Sequence, residues 1–331
     1  MRVLTVNPGS STLRLRVVDS KMGDFGKHDF LATTPDEVIS HLKAFIETVG
    51  SFDAAGVRVV HGGAAYRSHI IVDDHILEAL VALEELAPLH NPLSTAALGV
   101  LLPIGRPVAA CFDTAFHSTI PDAAALYGVP RVWIDKLGAR RYGFHGLSHA
   151  YISRRTAEIL DRSEKSLRIV SCHLGAGASL AAIRHGRCVD TTMGFTPLDG
   201  LVMATRSGSV DPGLITYAQR HLNLTAAEIE EILTTRSGLL GLSGRSGDMA
   251  ELLRSAEAGD ADAQLAIDVY IHRLRAGIAA MAAAMCGCDV VAFTGGVGEH
   301  SPAIRQAACD MLGFLGVDLD PEKNAGLIEE D

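Results

Sequence analysis

The sequence lacks several features that would assign it to a common class. No apolar run approaches the length of a membrane span without interruption by charge or glycine, and no apolar stretch of signal-peptide length follows the first methionine. Lysine and arginine number 29 against 39 acidic residues, and the net charge of −10 argues against nonspecific nucleic-acid binding, which needs a basic face. We therefore expect a cytoplasmic protein that binds neither membrane nor nucleic acid.

Cysteines are too few for a disulfide framework. The six cysteines lie mostly inside apolar runs of a 331-residue chain, which is typical of buried, reduced thiols. Cys286 and Cys288 are too close together for the usual zinc-binding pair. The chain also has no P-loop sequence, no G-x-G-x-x-G, no G-x-S-x-G and no H-E-x-x-H. These absences exclude the commonest nucleotide-binding, serine-hydrolase and zinc-protease motifs.

What the chain does contain is an alternation of short apolar runs and helical patterns, which indicates an α/β fold. Strands are predicted over residues 3–6, 57–60, 108–112, 167–172 and 290–293. Helices are predicted over residues 35–49, 75–86, 92–102, 147–160, 226–234 and 263–285. Helix starts are marked by Asp211 and Ser301, each followed by proline, and by Thr225 with Glu228 in a capping-box pattern.

Two segments about half a chain apart share one plan. VLTVNPGSSTLRLRVV (residues 3–18) and IVSCHLGAGASLAAIRHG (residues 169–186) each contain an apolar strand, a turn of small residues and an alternating strand. This similarity predicts a duplicated domain with a cleft between two hairpins. The alternative is that two unrelated hairpins happen to look alike.

Three glycine- or serine-rich turns are suited to binding an anion. They are NPGSST (residues 7–12), HLGAGAS (residues 173–179) and GGVGE (residues 295–299). Without a Cβ in the way, backbone N–H groups can converge on a phosphate. The third turn lies between a predicted strand and a helix predicted to start at Ser301, as in many nucleotide-binding sites.

Several charged residues stand in apolar or glycine-rich surroundings. They are Arg58, His61, His90, Asp113, His145 and Arg206. Taken singly, each is more often a structural residue, paired or packed in a core. Together with the three turns they match the needs of phosphoryl transfer, which uses positioned cations around a developing charge and a nearby carboxylate.

A second interpretation of the same residues is a metal-dependent hydrolase. Asp113 with His117, and His145 with His149, are four positions apart, a spacing that suits metal ligands on a helix. Paired core or surface histidines would produce the same spacing.

Long motifs identify a family. VRVVHGGAAY, FDTAFHSTIP, RYGFHGLSH, MGFTPLDGL and FTGGVGEHSPAIR resemble the acetate kinase family, and the resemblance runs from Met1 to about Glu322. It implies two duplicated ribonuclease-H-like lobes of the actin-like ATPase type, at residues 1–143 and 144–331, with a cleft between them. It also implies reversible transfer of the γ-phosphoryl group of ATP to acetate, which gives acetyl phosphate and ADP.

The resemblance implies roles for particular residues. The catalytic residues would be Asp113, Arg206, His145 and Arg58, and Asn7 would hold Mg²⁺ or Mn²⁺. The acyl substrate would contact Arg58, Val60, Leu89, His90, Phe144 and Pro197. The nucleotide would contact Ser10, Thr12, Arg14, His173, Leu174, Gly175, Ala176, Gly177, Asp248, Met249, Ala250, Gly296, Val297, Gly298, Glu299 and His300.

The chain departs from the family pattern mainly on the nucleotide side. Ala176 stands where the family has asparagine, Ala250 where it has arginine, and Arg14 where it has lysine. Relatives also continue beyond the last residue here into a segment with a glutamate that helps position magnesium. Ala176 and Ala250 motivate pyrophosphate as an alternative phosphoryl donor, and the missing segment motivates a catalytically weak ligand-binding relative. The small acyl pocket with Val60, Leu89 and Pro197 leaves a propionate or other short-chain acyl kinase as a further alternative. The family also implies a homodimer, for which the helix at 263–285 is a candidate surface.

Overall fold

The computed structural model describes residues 1–9, 12–19 and 23–326, which form two compact units. Met1–Ser118 and Phe144–Leu147 make up the first unit, and Thr119–Gly143 belongs to the second together with the chain from Ser148 onward. The predicted division at residue 143 therefore differs from the observed one. The Thr119 hydroxyl donates to the Cys188 carbonyl, and the Tyr142 N–H donates to the Gly194 carbonyl, which holds residues 119–143 in the second unit.

The first unit contains a six-stranded sheet. Its strands are β1 (Arg2–Pro8), β2 (Thr12–Asp19), β3 (Gly23–Leu31), β4 (Ala54–Val59), β5 (Ile70–Ile71) and β6 (Val108–Phe112). The strand order is β3-β2-β1-β4-β6-β5. β1, β2 and β3 form an antiparallel meander, whereas β1, β4 and β6 are parallel neighbours. The parallel strands place their carboxyl ends along one edge.

Three helices pack in this unit: α1 (Pro35–Val49), α2 (Asp74–Val81) and α3 (Asn91–Leu101). α1 begins at a capping box in which Thr34 and Glu37 bond reciprocally to each other's backbone N–H. Apolar side chains at alternating positions of the strands meet one face of each of α1 and α3. The core includes Leu4, Leu13, Leu15, Val38, Leu42, Val57, Leu98 and Phe112, each at most 1% exposed.

The second unit contains a four-stranded sheet with helices around it. Its strands are β7 (Arg168–Leu174), β8 (Ala178–Arg184), β9 (Arg187–Thr191) and β10 (Val290–Thr294). The first three helices are α4 (Asp122–Ala125), α5 (Arg131–Leu137) and α6 (Gly146–Ile159). The first residues of α6 belong to the first unit. Those that follow are α7 (Pro212–Leu222), α8 (Ala226–Thr235), α9 (Gly238–Ser243), α10 (Met249–Glu257), α11 (Ala261–Ala284), α12 (Gly295–His300), α13 (Pro302–Cys309) and α14 (Pro321–Ala325).

The two sheets repeat one topology. In the second sheet, of order β10-β7-β8-β9, the meander β7-β8-β9 is joined by β10 parallel to β7. The first sheet shows the same arrangement, with β1-β2-β3 as the meander and β4 parallel to β1. The predicted α/β class and the predicted duplication are therefore confirmed.

The three predicted helix starts are also confirmed. The Asp211 carboxylate accepts from the Gly213 N–H, the Ser301 hydroxyl from the Ile304 N–H, and Thr225 forms its capping box. The prediction of a glycine turn over residues 295–299 is wrong, because these residues form α12 immediately after β10. Among the described residues, no helix combines the length and the apolar character that crossing a membrane requires.

Candidate active site

Three polar side chains meet where parallel strands of the first sheet end. Asn7 is the penultimate residue of β1, Arg58 the penultimate residue of β4, and Asp113 follows β6 directly. The parallel register pairs Val6 with Val57 and Arg58 with Cys111, so all three polar residues reach the same edge. The carboxyl ends of parallel strands are where α/β proteins place their ligands.

Arg58 is bonded to both of the other two residues. Its Nε lies 3.1 Å from each carboxylate oxygen of Asp113, and its Nη2 lies 2.6 Å from Oδ2. Its Nη1 donates to the Asn7 Oδ1 at 3.1 Å. The Asp113 side chain is only 2% exposed and that of Arg58 is 22% exposed. Burial opposes ionisation of Arg58, but the charge and hydrogen bonds of Asp113 outweigh it and raise the pKa of the guanidinium.

The segment Phe144–Gly146 returns to this edge and carries His145. The backbone of His145 is left-handed, with φ of 57°, which is uncommon for a residue with a side chain. The Phe144 ring is 1% exposed, and the Gly146 N–H donates to the carbonyl oxygen of Asp113 at 2.9 Å. Gly146, the residue after His145, is therefore bonded to the main chain of Asp113, whose side chain is the buried carboxylate.

His117 supports this segment from the 3₁₀ turn Ala115–Thr119. Its Nε2 lies 2.9 Å from the Phe144 carbonyl oxygen, and its side chain is buried. A carbonyl can only accept, so the imidazole proton is on Nε2. Burial lowers the pKa of His117 to about 4, and the ring is neutral in the folded protein at neutral pH.

This burial predicts a loss of stability in acid. The unfolded chain protonates His117 near the ordinary pKa of 6.5, whereas the folded chain resists protonation down to about 4. The unfolded state therefore binds more protons in that window, and stability falls as pH falls through it, by about 2 kcal/mol between pH 7 and pH 5. Urea unfolding at several pH values measures the slope. His117→Gln should make the free energy of unfolding depend less steeply on pH than in the parent protein. Replacement of the exposed His75 by glutamine should leave that dependence unchanged.

A second layer behind the strand ends was not predicted from the sequence. The Asn91 side chain, 1% exposed, accepts from the His61 N–H at 3.1 Å and donates to the His61 carbonyl at 3.0 Å. The His61 Nδ1 accepts from the Gly63 N–H, and its ring packs edge-to-face on Phe144. The position of Asn91 between histidine and proline in LHNP was the only signal, and it does not reveal a partner 30 residues away.

The predicted acyl-pocket residues divide between the units. Val60, His90 and Phe144 are buried in the first unit, and the side chain of Leu89 is 54% exposed. Pro197 belongs to the second unit. Their shared role in holding an acyl group stays a prediction.

In the second unit, the hairpin between β7 and β8 carries the predicted phosphate turn. His173 Nδ1 lies 2.9 Å from the Ser148 hydroxyl, and Leu174 is buried. The Gly175 N–H donates to the Gly177 carbonyl, which closes the turn, and the Ala176 carbonyl accepts from the Ala204 N–H. The methyl group of Ala176 is exposed, so its side chain adds no polar group to the turn.

The loop that carries Arg206 packs beside this hairpin. Arg206 Nη1 donates to the Pro197 carbonyl at 3.2 Å, and the Arg206 carbonyl accepts from the Met203 N–H. Gly238 has φ of 62°, and a Cβ there would lie 2.2 Å from the Met203 carbonyl oxygen. Only glycine fits this close approach, which fixes the loop against the start of α9.

The remaining predicted nucleotide segments lie nearby in the second unit. Gly247, next to Asp248, packs against Ala204, and Asp248 caps α10 by accepting from the Glu251 N–H. Met249 is buried and Ala250 is exposed. Gly295, the first residue of α12, packs against the Leu174 carbonyl. The helix comprises Gly295, Gly296, Val297, Gly298, Glu299 and His300. The hairpin, the Arg206 loop, the start of α10 and α12 are thus packed together.

α12 is held by two side chains whose role the sequence did not reveal. The Glu299 carboxylate accepts from the Thr294 hydroxyl and from the Gly295 N–H, so it caps its own helix. Arg305, 4% exposed, donates to the Gly298 and Glu299 carbonyls and to Asn324 in α14. These bonds explain why the glycine-rich stretch is helical and not an open turn.

The first phosphate turn is described only at its two ends. The Gly9 N–H donates to the Thr12 carbonyl, and Pro8 pairs with Leu13, so a hairpin is formed as predicted. Arg14 lies in β2 with an exposed side chain. Ser10 lies outside the described residues.

The histidine pairs proposed for a metal-dependent hydrolase have other partners. His149 is buried between two hydroxyls, with Nδ1 2.8 Å from the Ser171 Oγ and Nε2 2.9 Å from the Ser179 Oγ. Asp113 is bonded to Arg58, and His117 to the Phe144 carbonyl. No group of three or more His, Cys, Asp or Glu side chains with metal-binding geometry occurs within residues 1–9, 12–19 and 23–326.

Comparison with known proteins gives consistent matches. The Acetokinase family model matches residues 21–330. An acetate kinase from Trichormus variabilis is 51% identical over 281 residues, which cover 84% of this chain and 69% of the relative. The solved acetate kinase from Porphyromonas gingivalis is 34% identical, with a TM-score of 0.89 over 99% of this chain and 91% of that one. A propionate kinase from Francisella tularensis is also 34% identical, with a TM-score of 0.90 over 98% and 91%.

Proposed function

The chain belongs to the acetokinase family, and on that premise we propose that it transfers the γ-phosphoryl group of ATP to acetate, reversibly, giving acetyl phosphate and ADP. The observation that carries the proposal is the convergence of Asn7, Arg58 and Asp113 at the carboxyl ends of β1, β4 and β6. A guanidinium held beside a buried carboxylate offers a cation for a carboxylate or phosphoryl oxygen.

Phosphoryl transfer of this kind depends on positioning and on charge stabilisation more than on covalent chemistry. Arg58, through its N–H groups, is proposed to bind the carboxylate of acetate or the transferring group. His145 is proposed to donate to the phosphoryl oxygens as charge develops, and Arg206 to supply a second guanidinium. Asp113 is proposed to orient Arg58 and the reacting groups by accepting its hydrogen bonds.

Mg²⁺ is the proposed metal, and the residues present fit it. Asn7 and Asp113 offer amide and carboxylate oxygens, both within hydrogen-bond distance of Arg58, and oxygen is the ligand type that Mg²⁺ prefers. Mg²⁺ usually keeps several waters and takes one or two protein oxygens together with substrate phosphates. When bound, it would neutralise negative charge on the phosphates of the nucleotide.

ATP is the proposed donor, with the hairpin of the second unit as the proposed nucleotide site. The short side chains of Ala176 and Ala250, both exposed, favour one second candidate, a pyrophosphate-dependent acetate kinase. The shared fold with the propionate kinase makes propionate the acyl alternative to test.

A hydroxamate assay of acyl phosphate formation tests the proposal. Purified protein with Mg²⁺ is supplied with ATP or pyrophosphate, and with acetate, propionate or butyrate in turn. We expect product with ATP, with kcat/KM highest for acetate or propionate. Product formed with pyrophosphate but not with ATP would favour the second candidate, the pyrophosphate-dependent acetate kinase. Binding of acetate and ATP with no product under any condition would support a catalytically weak relative.

A homodimer is proposed as the assembly, with α7 as part of its surface. α11, the helix suggested by the sequence, buries eight residues within its own unit. α7 buries none and exposes Leu214, Tyr217 and Leu222 on one face. We expect light scattering to show a dimer that Tyr217→Lys weakens at least tenfold. Tyr151 on α6 is equally exposed, and its replacement by lysine should leave the molar mass measured by light scattering at that of the dimer. The cytoplasmic location stays a prediction.

A further inference from the structure

The unusual backbone at His145 needs an explanation in the contacts around it. A left-handed conformation costs a residue with a side chain roughly 1–2 kcal/mol and persists only where the surroundings impose it. The peptide between Phe144 and His145 is the one whose orientation sets the φ of His145. Whatever holds the carbonyl of that peptide therefore decides where the His145 imidazole can point.

Three contacts, all in the first unit, hold the peptides on either side of His145. His117 Nε2 lies 2.9 Å from the Phe144 carbonyl oxygen. The Phe144 ring is packed edge-to-face with His61, with ring centres 5.4 Å apart. On the other side, the Gly146 N–H donates to the Asp113 carbonyl. Of these contacts, only the one from His117 fixes the carbonyl of the peptide before His145.

His117 is suited to this contact by its own position. It lies four residues after Asp113, in the 3₁₀ turn that follows β6, and its N–H donates to the Thr114 carbonyl. The turn that carries the buried carboxylate therefore also carries the group that fixes His145. A neutral, buried ring with its proton on Nε2 is a donor that does not change with pH near neutrality.

We propose that His117 is a positioning residue for phosphoryl transfer: its Nε2–H bond to the Phe144 carbonyl sets the peptide before His145 and so aims the His145 imidazole. The inference rests on the proposed function, because it assigns His117 a purpose in that reaction. A histidine that only filled the core would affect stability and would not act through His145.

A double-mutant cycle separates the two roles. His117→Met keeps a side chain of similar length without a donor, and His117→Gln restores an N–H near the position of Nε2. Each is combined with His145→Ala, and kcat and KM for acetate and ATP are measured by the hydroxamate assay, with the thermal midpoint as a folding control. His117→Asn, whose amide is too short to reach the Phe144 carbonyl, replaces His117→Met if that variant does not fold.

We expect His117→Met to lower kcat about 10- to 100-fold with KM for ATP within threefold, and His117→Gln to recover most of the loss. In the His145→Ala background, His117→Met should cost less than twofold, because residues acting as one unit are not additive. Fully additive effects of the His117 and His145 substitutions on kcat would overturn the role given to His117, and so would equal losses of kcat in the Gln and Met variants. Either result would leave the proposed function standing. A parent protein that makes no acyl phosphate would overturn the proposed function and this inference together.

Discussion

Replacing Asp113 with asparagine is expected to lower kcat for acetyl phosphate formation about 100- to 1,000-fold, the range found when one preorganised charge-stabilising group is removed. The asparagine side chain has nearly the same shape, but it carries no charge and keeps only one acceptor oxygen. Arg58, which donates three hydrogen bonds to the carboxylate of the parent protein, would lose its orientation. Initial-rate measurements with ATP and acetate give the effect on kcat.

The same substitution should also weaken the fold. Removing one partner of a buried ion pair leaves the other charge uncompensated, at a typical cost of 3–5 kcal/mol. Because Arg58 is 22% exposed and partly screened by water, we expect about 2 kcal/mol in the free energy of unfolding. Asp135→Asn is the matched control, since Asp135 pairs with Arg131 on the surface and should change neither rate nor stability. An Asp113→Asn protein with kcat within threefold of the parent would contradict the assignment.

Replacing Gly146 with alanine is expected to be the most damaging small substitution in the site. A Cβ at this position would lie 2.1 Å from the Asp113 carbonyl oxygen and 3.0 Å from the Phe116 Cβ. Main-chain atoms cannot rotate away, so the Phe144–Gly146 segment must shift from the end of β6. We expect a loss of about 3 kcal/mol or more in the free energy of unfolding, and at least a tenfold lower kcat in the protein that folds.

Gly99 provides the control for the alanine substitution. It lies inside α3, where an added Cβ would meet no neighbouring group within 4 Å, so Gly99→Ala should stabilise the protein by about 0.5–1 kcal/mol. Chemical denaturation and initial rates compare the two variants. If Gly146→Ala kept the kcat and stability of the parent, the close approach of α6 to Asp113 would not matter to the site.

Much of the fold could be predicted because its signals are local. Residues 108–112 form a strand and residues 35–49 a helix with the predicted bounds, since the apolar spacing and the caps lie within each segment. The helix predicted over residues 75–86 ends at Val81 and gives way to a 3₁₀ turn at Glu84–Leu86. α12 was missed because its stability depends on Glu299 and Arg305, which bond to it only once the chain is folded.

The candidate site divides in the same way. Arg58 and Asp113 could be selected from the sequence because a charge at the end of an apolar strand is unusual, but that they pair with each other is a finding of the structure. Asn91 and Gly146 could not be selected. The role of Asn91 depends on a histidine 30 residues away, and that of Gly146 on a carbonyl 33 residues away. His117 was singled out, but for a metal, because spacing along a helix cannot show that its partner is a backbone carbonyl.

The α/β class, the duplicated strand plan, the family and the residue types available for phosphoryl transfer all follow from the amino-acid sequence alone. These depend on patterns over a few neighbouring positions, where hydrogen bonding and burial act directly. The folded structure was needed to show that Asn7 and Asp113 both bond to Arg58, that His117 bonds to the peptide before His145, and that Gly295–His300 is helical. Strand register and chain packing bring together residues separated by tens of positions, and no local pattern encodes those distances.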